Sequence, residues 1–173
     1  MKKNLILTGM MGVGKSTIGK KLAKKLKLKF FDIDNLIEKK EKNSISHIFS
    51  EKGESYFRKI EKQITLDILK KRNSVIALGG GAFLNLSIRK EIKYTAVSFW
   101  IDLDVKSISS RLKNIKKRPL LEKNNLEETI NRIYSDRKKI YNESNFRIKS
   151  KKMNVNNTIN KIIELYEATD NKV

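Results

Sequence analysis

Gly9-Met10-Met11-Gly12-Val13-Gly14-Lys15-Ser16-Thr17 fits the spacing G-x-x-x-x-G-K-[ST], which grips phosphate through the backbone. Glycines let successive N–H groups turn into one concavity, and a helix starting near Gly14 adds unpaired N–H groups and the positive end of its dipole. In that arrangement Gly12, Val13, Gly14, Lys15, Ser16 and Thr17 surround a nucleotide's phosphates. Lys15 reaches the β- and γ-phosphates, Ser16 offers a hydroxyl to Mg²⁺, and Thr17 bonds a phosphate oxygen. The loop names a ligand class. It does not say whether the nucleotide is hydrolysed, used as a phosphoryl donor or sensed.

Three further sets of residues carry chemistry. Asp32 and Asp34 follow a hydrophobic stretch, and a nucleotide-bound Mg²⁺ calls for a carboxylate near the loop hydroxyl. On an extended segment a pair at i, i+2 points the same way, so one carboxylate can serve the metal and the other a substrate hydroxyl. Asp34 is equally suited to cap a helix containing Leu36 and Ile37. Asp102 also follows an apolar run, where capping is the stronger reading. Gly79-Gly80-Gly81 either brings backbone N–H groups close to a ligand or makes a flexible turn. Arg58, Arg111, Arg118 and Arg137 stand out in a lysine-rich chain because guanidinium clamps carboxylate or phosphate with two parallel bonds, which ammonium cannot do, although each taken singly reads first as a residue of a solvated face.

These residues need a scaffold, and the chain alternates strand-like and helix-like segments, the pattern of a parallel sheet with helices on both faces. Leu5-Ile6-Leu7, Lys29-Phe30-Phe31, Val75-Ile76-Ala77-Leu78, Val97-Ser98-Phe99-Trp100-Ile101 and Phe146-Arg147-Ile148 are the expected strands. Ile18, Leu22 and Leu26 mark the helix after the phosphate loop. Phe57, Ile60, Ile64 and Ile68 mark the next, after a polar segment. Residues 102–104 can cap a helix carrying Val105, Ile108 and Leu112. Leu126, Ile130 and Ile133 mark another helix, and Ile159, Ile162, Ile163 and Tyr166 the last. Residues 113–125 have little apolar periodicity and hold the single proline, Pro119, the pattern of a mobile loop. In such sheets ligands sit at the carboxyl ends of the strands, where the order of segments puts residues 9–17, Asp32, Asp34 and residues 79–81.

A length of 173 residues sets one domain as the expectation, large enough for a core. Cysteine is absent, which excludes disulfides and thiol catalysis. No apolar run reaches membrane-spanning length, and residues 1–4 lead directly into the first strand, so the cytoplasm is the expected location, with no membrane partner. The formal net charge of +20 admits a nucleic-acid partner. The basic residues, however, are spread along the chain without aromatic interleaving, so solvated lysines in a Lys-, Asn- and Ile-rich composition are the preferred reading. His47 reads as a surface or packing residue.

Taken together these residues resemble the shikimate kinase family. The shared stretches are the phosphate loop, Phe31-Asp32-Ile33-Asp34, residues 45–49, Glu51-Lys52-Gly53-Glu54, Phe57-Arg58-Lys59-Ile60-Glu61, Leu78-Gly79-Gly80-Gly81-Ala82, Arg118-Pro119-Leu120-Leu121 and Arg137-Lys138-Lys139-Ile140-Tyr141. The resemblance implies a P-loop kinase of the nucleoside-monophosphate-kinase type, a single domain over residues 1–173. It would have a five-stranded parallel sheet flanked by helices, a lid at about 113–125 and a substrate-binding segment at about 33–61. It also implies roles. Asp34, Arg58, Gly80 with Gly79 and Gly81, and Arg137 would hold shikimate, the two arginines on its carboxylate and Asp34 on its hydroxyls. Glu61 would orient Arg58, and Phe49 and Phe57 would flank the ring. Asp32 would hold Mg²⁺ through water beside Ser16, Arg118 would reach the transferring phosphoryl group from the lid, and Arg111 would lie near adenine. Residues 149–154 carry lysines but no match to the family's adenine-covering residue. The expected activity is transfer of the γ-phosphoryl of ATP to the 3-hydroxyl of shikimate, with Lys15, Asp34 and Arg118 as the catalytic set. Mg²⁺ is the expected cofactor, ATP and shikimate are the expected partners, and the expected state is a monomer without nucleic acid. A gluconate-type kinase, or an ATP-dependent nucleic-acid-binding protein suggested by the charge, are the alternatives.

Overall fold

The computed structural model describes residues 3–112, 125–150 and 154–170. Five parallel strands, β1 (Asn4–Thr8), β2 (Lys29–Asp32), β3 (Ser74–Ala77), β4 (Ala96–Asp102) and β5 (Phe146–Lys149), form one sheet in the order β2-β3-β1-β4-β5. The three inner strands are buried along their whole length, while β2 and β5 are partly exposed at the edges. Their sequences follow from that: Leu5, Ile6 and Leu7, or Val97, Phe99, Trp100 and Ile101, are near-continuous apolar runs because both faces of an inner parallel strand are covered. β1 holds the sheet in register, with Leu5 beside Val75 on one side and Val97 on the other.

The helices are α1 (Lys15–Leu26), α2 (Ile33–Glu41), α3 (Ile45–Leu69), α4 (Leu86–Thr95), α5 (Val105–Leu112), α6 (Leu126–Tyr141) and α7 (Val155–Asp170), with a short 3₁₀ turn at Ala82–Leu84. From β1 the chain crosses by α1 towards the β2 edge, and every later crossover runs the other way. Right-handed connections therefore put α1 on one face and α2 to α6 on the other. α7 returns to pack against α1. Among the described residues no helix is long and apolar enough to cross a membrane.

All five expected strands form, and three details differ from the sequence reading. The polar stretch before Phe57 is helical: α2 occupies part of it and α3 begins at Ile45, with a break at Gly53 (φ 78°, ψ 170°). α4 has no strong sequence signal because its buried face is only Ile88 and Ile92. Its start is fixed by Asn85, whose side chain accepts from the Ser87 and Ile88 N–H groups. Of residues 102–104, Asp104 caps α5, accepting from Ser107 N at 3.1 Å. Residues 113–124, with Arg118, and residues 151–153 lie outside the described residues, so the lid and part of the 149–154 stretch are not described.

Candidate active site

The phosphate loop leaves the carboxyl end of β1 and curls through Gly9, Gly12 and Gly14, all at positive φ. Gly14 (φ 98°) is the N-cap of α1, a conformation in which a side chain is strained. Lys15 is buried, and its Nζ donates to the carbonyls of Gly9 and Met10, both at 2.8 Å. Val13 is buried, whereas Ser16 and Thr17 are exposed at the mouth. Arg111, in the last turn of α5, points Nη1 at the carbonyls of Gly12 (3.4 Å) and Val13 (3.3 Å), closing over the loop from the β4 side.

Asp32 and Asp34 do not share an extended segment, contrary to the sequence reading. Asp32 ends β2 and caps α2, its Oδ1 accepting from Asn35 N at 3.3 Å, while Asp34 lies in the first turn of α2. The turn between strand and helix keeps both carboxylates on one cavity of about 450 Å³. The capping role considered for Asp34 therefore belongs to Asp32. Asp32 also has a second oxygen in use: Ser16 Oγ donates to its Oδ2 at 2.5 Å. That contact brings together the hydroxyl and the carboxylate singled out for Mg²⁺. The pair is an all-oxygen donor set next to the phosphate loop, the chemistry Mg²⁺ takes when phosphates and waters complete its shell.

The same cavity gathers Phe49, Phe57, Arg58, Glu61, Gly80, Gly81 and Arg137 with Asp32, Asp34 and Ser16. It also takes in Met11, Asn35, Glu38, Ser44, Ile45 and Ser46. Sequence reasoning gave none of these a role of its own, although all but Met11 fall within the expected substrate-binding segment at about 33–61. The Phe49 and Phe57 rings lie 4.6 Å apart, and the Arg58 guanidinium sits over Phe57 at 5.2 Å. Arg58 Nη1 donates to Glu61 Oε2 at 2.6 Å. Arg137 Nη1 donates to the Gly80 carbonyl at 3.1 Å, and Tyr141 Oη donates to the same oxygen at 2.5 Å. The backbone of the glycine run is thereby fixed from α6.

The glycines answer to close approach, not to flexibility. A Cβ on Gly79 would stand 2.5 Å from Glu61 Oε1 and 2.6 Å from Asp34 Oδ1, and one on Gly81 would overlap the Arg58 guanidinium. Both carboxylates and the arginine therefore press against bare backbone. Burial pushes the Glu61 carboxyl above its ordinary range. Arg58 pulls against that shift, and the Asp34 charge adds to it. Burial works against the Arg58 cation, but Glu61 and Glu54 outweigh it and hold its pKa above the usual value.

Asp102 lies outside this cavity. Its Oδ1 accepts from Tyr134 Oη at 2.9 Å, and its Oδ2 accepts from Arg147 Nε and Nη2 at 2.9 and 2.7 Å. Arg147 stacks over Trp100 at 4.5 Å. Burial first, then Asp102, push the Tyr134 hydroxyl up to about 12. His47 is exposed and pairs with Glu51 at 2.8 Å, a surface contact as expected.

Residues 11–167 match the family model for shikimate kinase. The chain belongs to the shikimate kinase family. A shikimate kinase from Sulfurihydrogenibium sp. is 40% identical over 161 residues, covering 93% of this chain and 96% of the relative. Among solved structures, a shikimate kinase from Acinetobacter baumannii in complex with shikimate superposes with a TM-score of 0.93 at 29% identity, covering 98% of this chain and 95% of that one. A gluconokinase from Sinorhizobium meliloti reaches a TM-score of 0.59 at 14% identity, a likeness of fold alone. The gluconate alternative therefore loses its support, and ATP-dependent phosphoryl transfer is the family's activity.

Proposed function

We infer that this protein transfers the γ-phosphoryl group of ATP to the 3-hydroxyl of shikimate, giving shikimate 3-phosphate and ADP. Membership of the family supports this, and one observation carries the assignment of residues. A single cavity joins Ser16 and Asp32 at its nucleotide end to Asp34, Arg58, Gly80 and Arg137 at its acceptor end.

Phosphoryl transfer asks mainly for alignment and charge neutralisation. In this reading the loop amides and Lys15 take the triphosphate, Lys15 exchanging its carbonyl partners for phosphate oxygens. Arg58 and Arg137 clamp the acid's carboxylate and set the ring between Phe49 and Phe57. Asp34 orients the attacking hydroxyl and accepts its proton. Arg111 covers the nucleotide, and Arg118 approaches the transferring group from the 113–125 lid, whose closure keeps water out. Ser16 and Asp32 would hold Mg²⁺, which supplies charge neutralisation to the phosphates. A cytoplasmic monomer acting on free metabolites, without nucleic acid, completes the reading.

ADP release measured with Mg-ATP, with and without shikimate, tests it. Release should depend on shikimate and not on gluconate. A preparation that hydrolyses ATP equally with either acid, or binds RNA in place of turning over shikimate, would overturn it.

A further inference from the structure

Glu54 belongs to a stretch singled out by its sequence, yet the reaction as described leaves it idle. It is the first residue after the Gly53 break, so α3 restarts there and Arg58 follows one turn later. Glu54 Oε1 accepts from both Arg58 Nε (3.1 Å) and Nη2 (2.9 Å). Glu61 Oε2 takes Nη1 from another direction. A guanidinium has five N–H donors in a fixed plane, so these three bonds leave two. Arg58 and Glu61 line the cavity, and Glu54 does not. The glutamate side chain is half-exposed, on the outer side of the arginine.

The usual explanation of such a contact is helix stability. An acid in a first turn, paired at i, i+4, stabilises the helix slightly whatever the arginine does. Here, however, the arginine is the group expected to meet the acceptor's carboxylate. An unrestrained arginine side chain loses rotamer freedom when fixed, a cost that would fall on substrate binding unless something fixes it beforehand. Glu61 holds one nitrogen, and Phe57 and the Gly81 backbone lie against the guanidinium, but none of them holds its outer edge. Glu54 supplies the anchor on that edge.

Resting on the kinase reading above, we propose that Glu54 is a positioning residue for the acceptor. Its carboxylate grips the outer Nε–Nη2 edge of Arg58, so the two remaining donors face the acid's carboxylate before it arrives. Glu54 touches neither substrate. It acts through the arginine, and its effect falls on acceptor affinity.

Steady-state kinetics of Glu54→Ala and Glu54→Gln separate this role from a structural one. Glu54→Ala should raise KM for shikimate about two- to fivefold, the size of a partly exposed ion pair, with kcat and KM for ATP unchanged. Glu54→Gln keeps an oxygen that can accept from both nitrogens, so its KM for shikimate should stay near that of the unsubstituted protein. Three results would overturn the proposal: an unchanged KM for shikimate in Glu54→Ala, a parallel rise in both KM values, or a glutamine variant as impaired as the alanine one. Failure of the unsubstituted protein to form ADP with shikimate would instead sink the kinase reading.

Discussion

Arg58 is held from several directions in the acceptor half of the cavity. It pairs with two carboxylates, stacks on Phe57 and lies against the Gly81 backbone. Charge-assisted hydrogen bonds are worth about 1.5–3 kcal/mol, so Arg58→Ala should raise KM for shikimate about 10- to 100-fold and leave KM for ATP nearly unchanged. Arg118→Ala should instead lower kcat more than it weakens shikimate binding. Initial-rate kinetics with each substrate varied in turn check both; an unchanged KM for shikimate in Arg58→Ala would remove Arg58 from the acceptor site. Glu61 adds a pH dependence. Its folded-state pKa is raised, so between the ordinary carboxylate value and the raised one the folded protein binds the extra proton. Stability from this group is therefore greatest at low pH and falls as pH rises across that window. Activity runs the other way, because the charged carboxylate is the one that orients Arg58. The acid limb of kcat/KM for shikimate should lie above the ordinary glutamate range, and Glu61→Gln should abolish that limb. A limb unmoved by the substitution would assign it to another group.

At the scale of elements, the break in α3 makes the acceptor wall. Gly53 holds φ 78° and ψ 170°, a region populated almost only by glycine, and a Cβ there would meet nothing within 4 Å. Backbone conformation alone, not crowding, demands the glycine. Gly53→Ala should therefore cost about 1–3 kcal/mol, read as a lower urea midpoint with an unchanged slope, and a neutral substitution would show that the two halves of α3 can join without strain. This element also shows where the sequence was and was not legible. Phe57, Ile60, Ile64 and Ile68 announced the second half by their period. The first half was hidden because Ile48 is its only fully buried apolar residue and its other positions are mostly polar. The inner strands were plain as apolar runs, being covered on both faces. Asp32 and Asp34 were found by type and spacing, but which of them caps α2 was not, since that depends on where β2 stops. The partners of Asp102 were invisible for a similar reason: Tyr134 and Arg147 reach it from 32 and 45 residues away.

The whole molecule carries a formal charge of +20 and acts on two anions. Such a field raises the local concentration of anionic substrates and is screened by salt, with a Debye length of about 10 Å at 0.1 M falling to about 3 Å at 1 M. KM for both ATP and shikimate should therefore rise with sodium chloride at constant magnesium, more than in a neutral relative. Salt-independent KM values would leave the charge without a part in substrate capture. The order of the sheet has a consequence of another kind. The nucleotide loop leaves β1 and the first acidic residue ends β2, and these strands are not neighbours: β3 lies between them, with Leu7 and Asp32 both level with Ala77. β3 runs out into three glycines at the height where the other two carry their functional groups. Two strand spacings are about 9–10 Å, a gap that Ser16 crosses from α1 when its hydroxyl meets Asp32. The groups on the two strands are thus held at a set separation by hydrogen-bonded backbone, and a side chain makes the join between them. Side-chain changes at Ser16 or Asp32 can alter that join, but the separation of the two strand ends is fixed by the sheet.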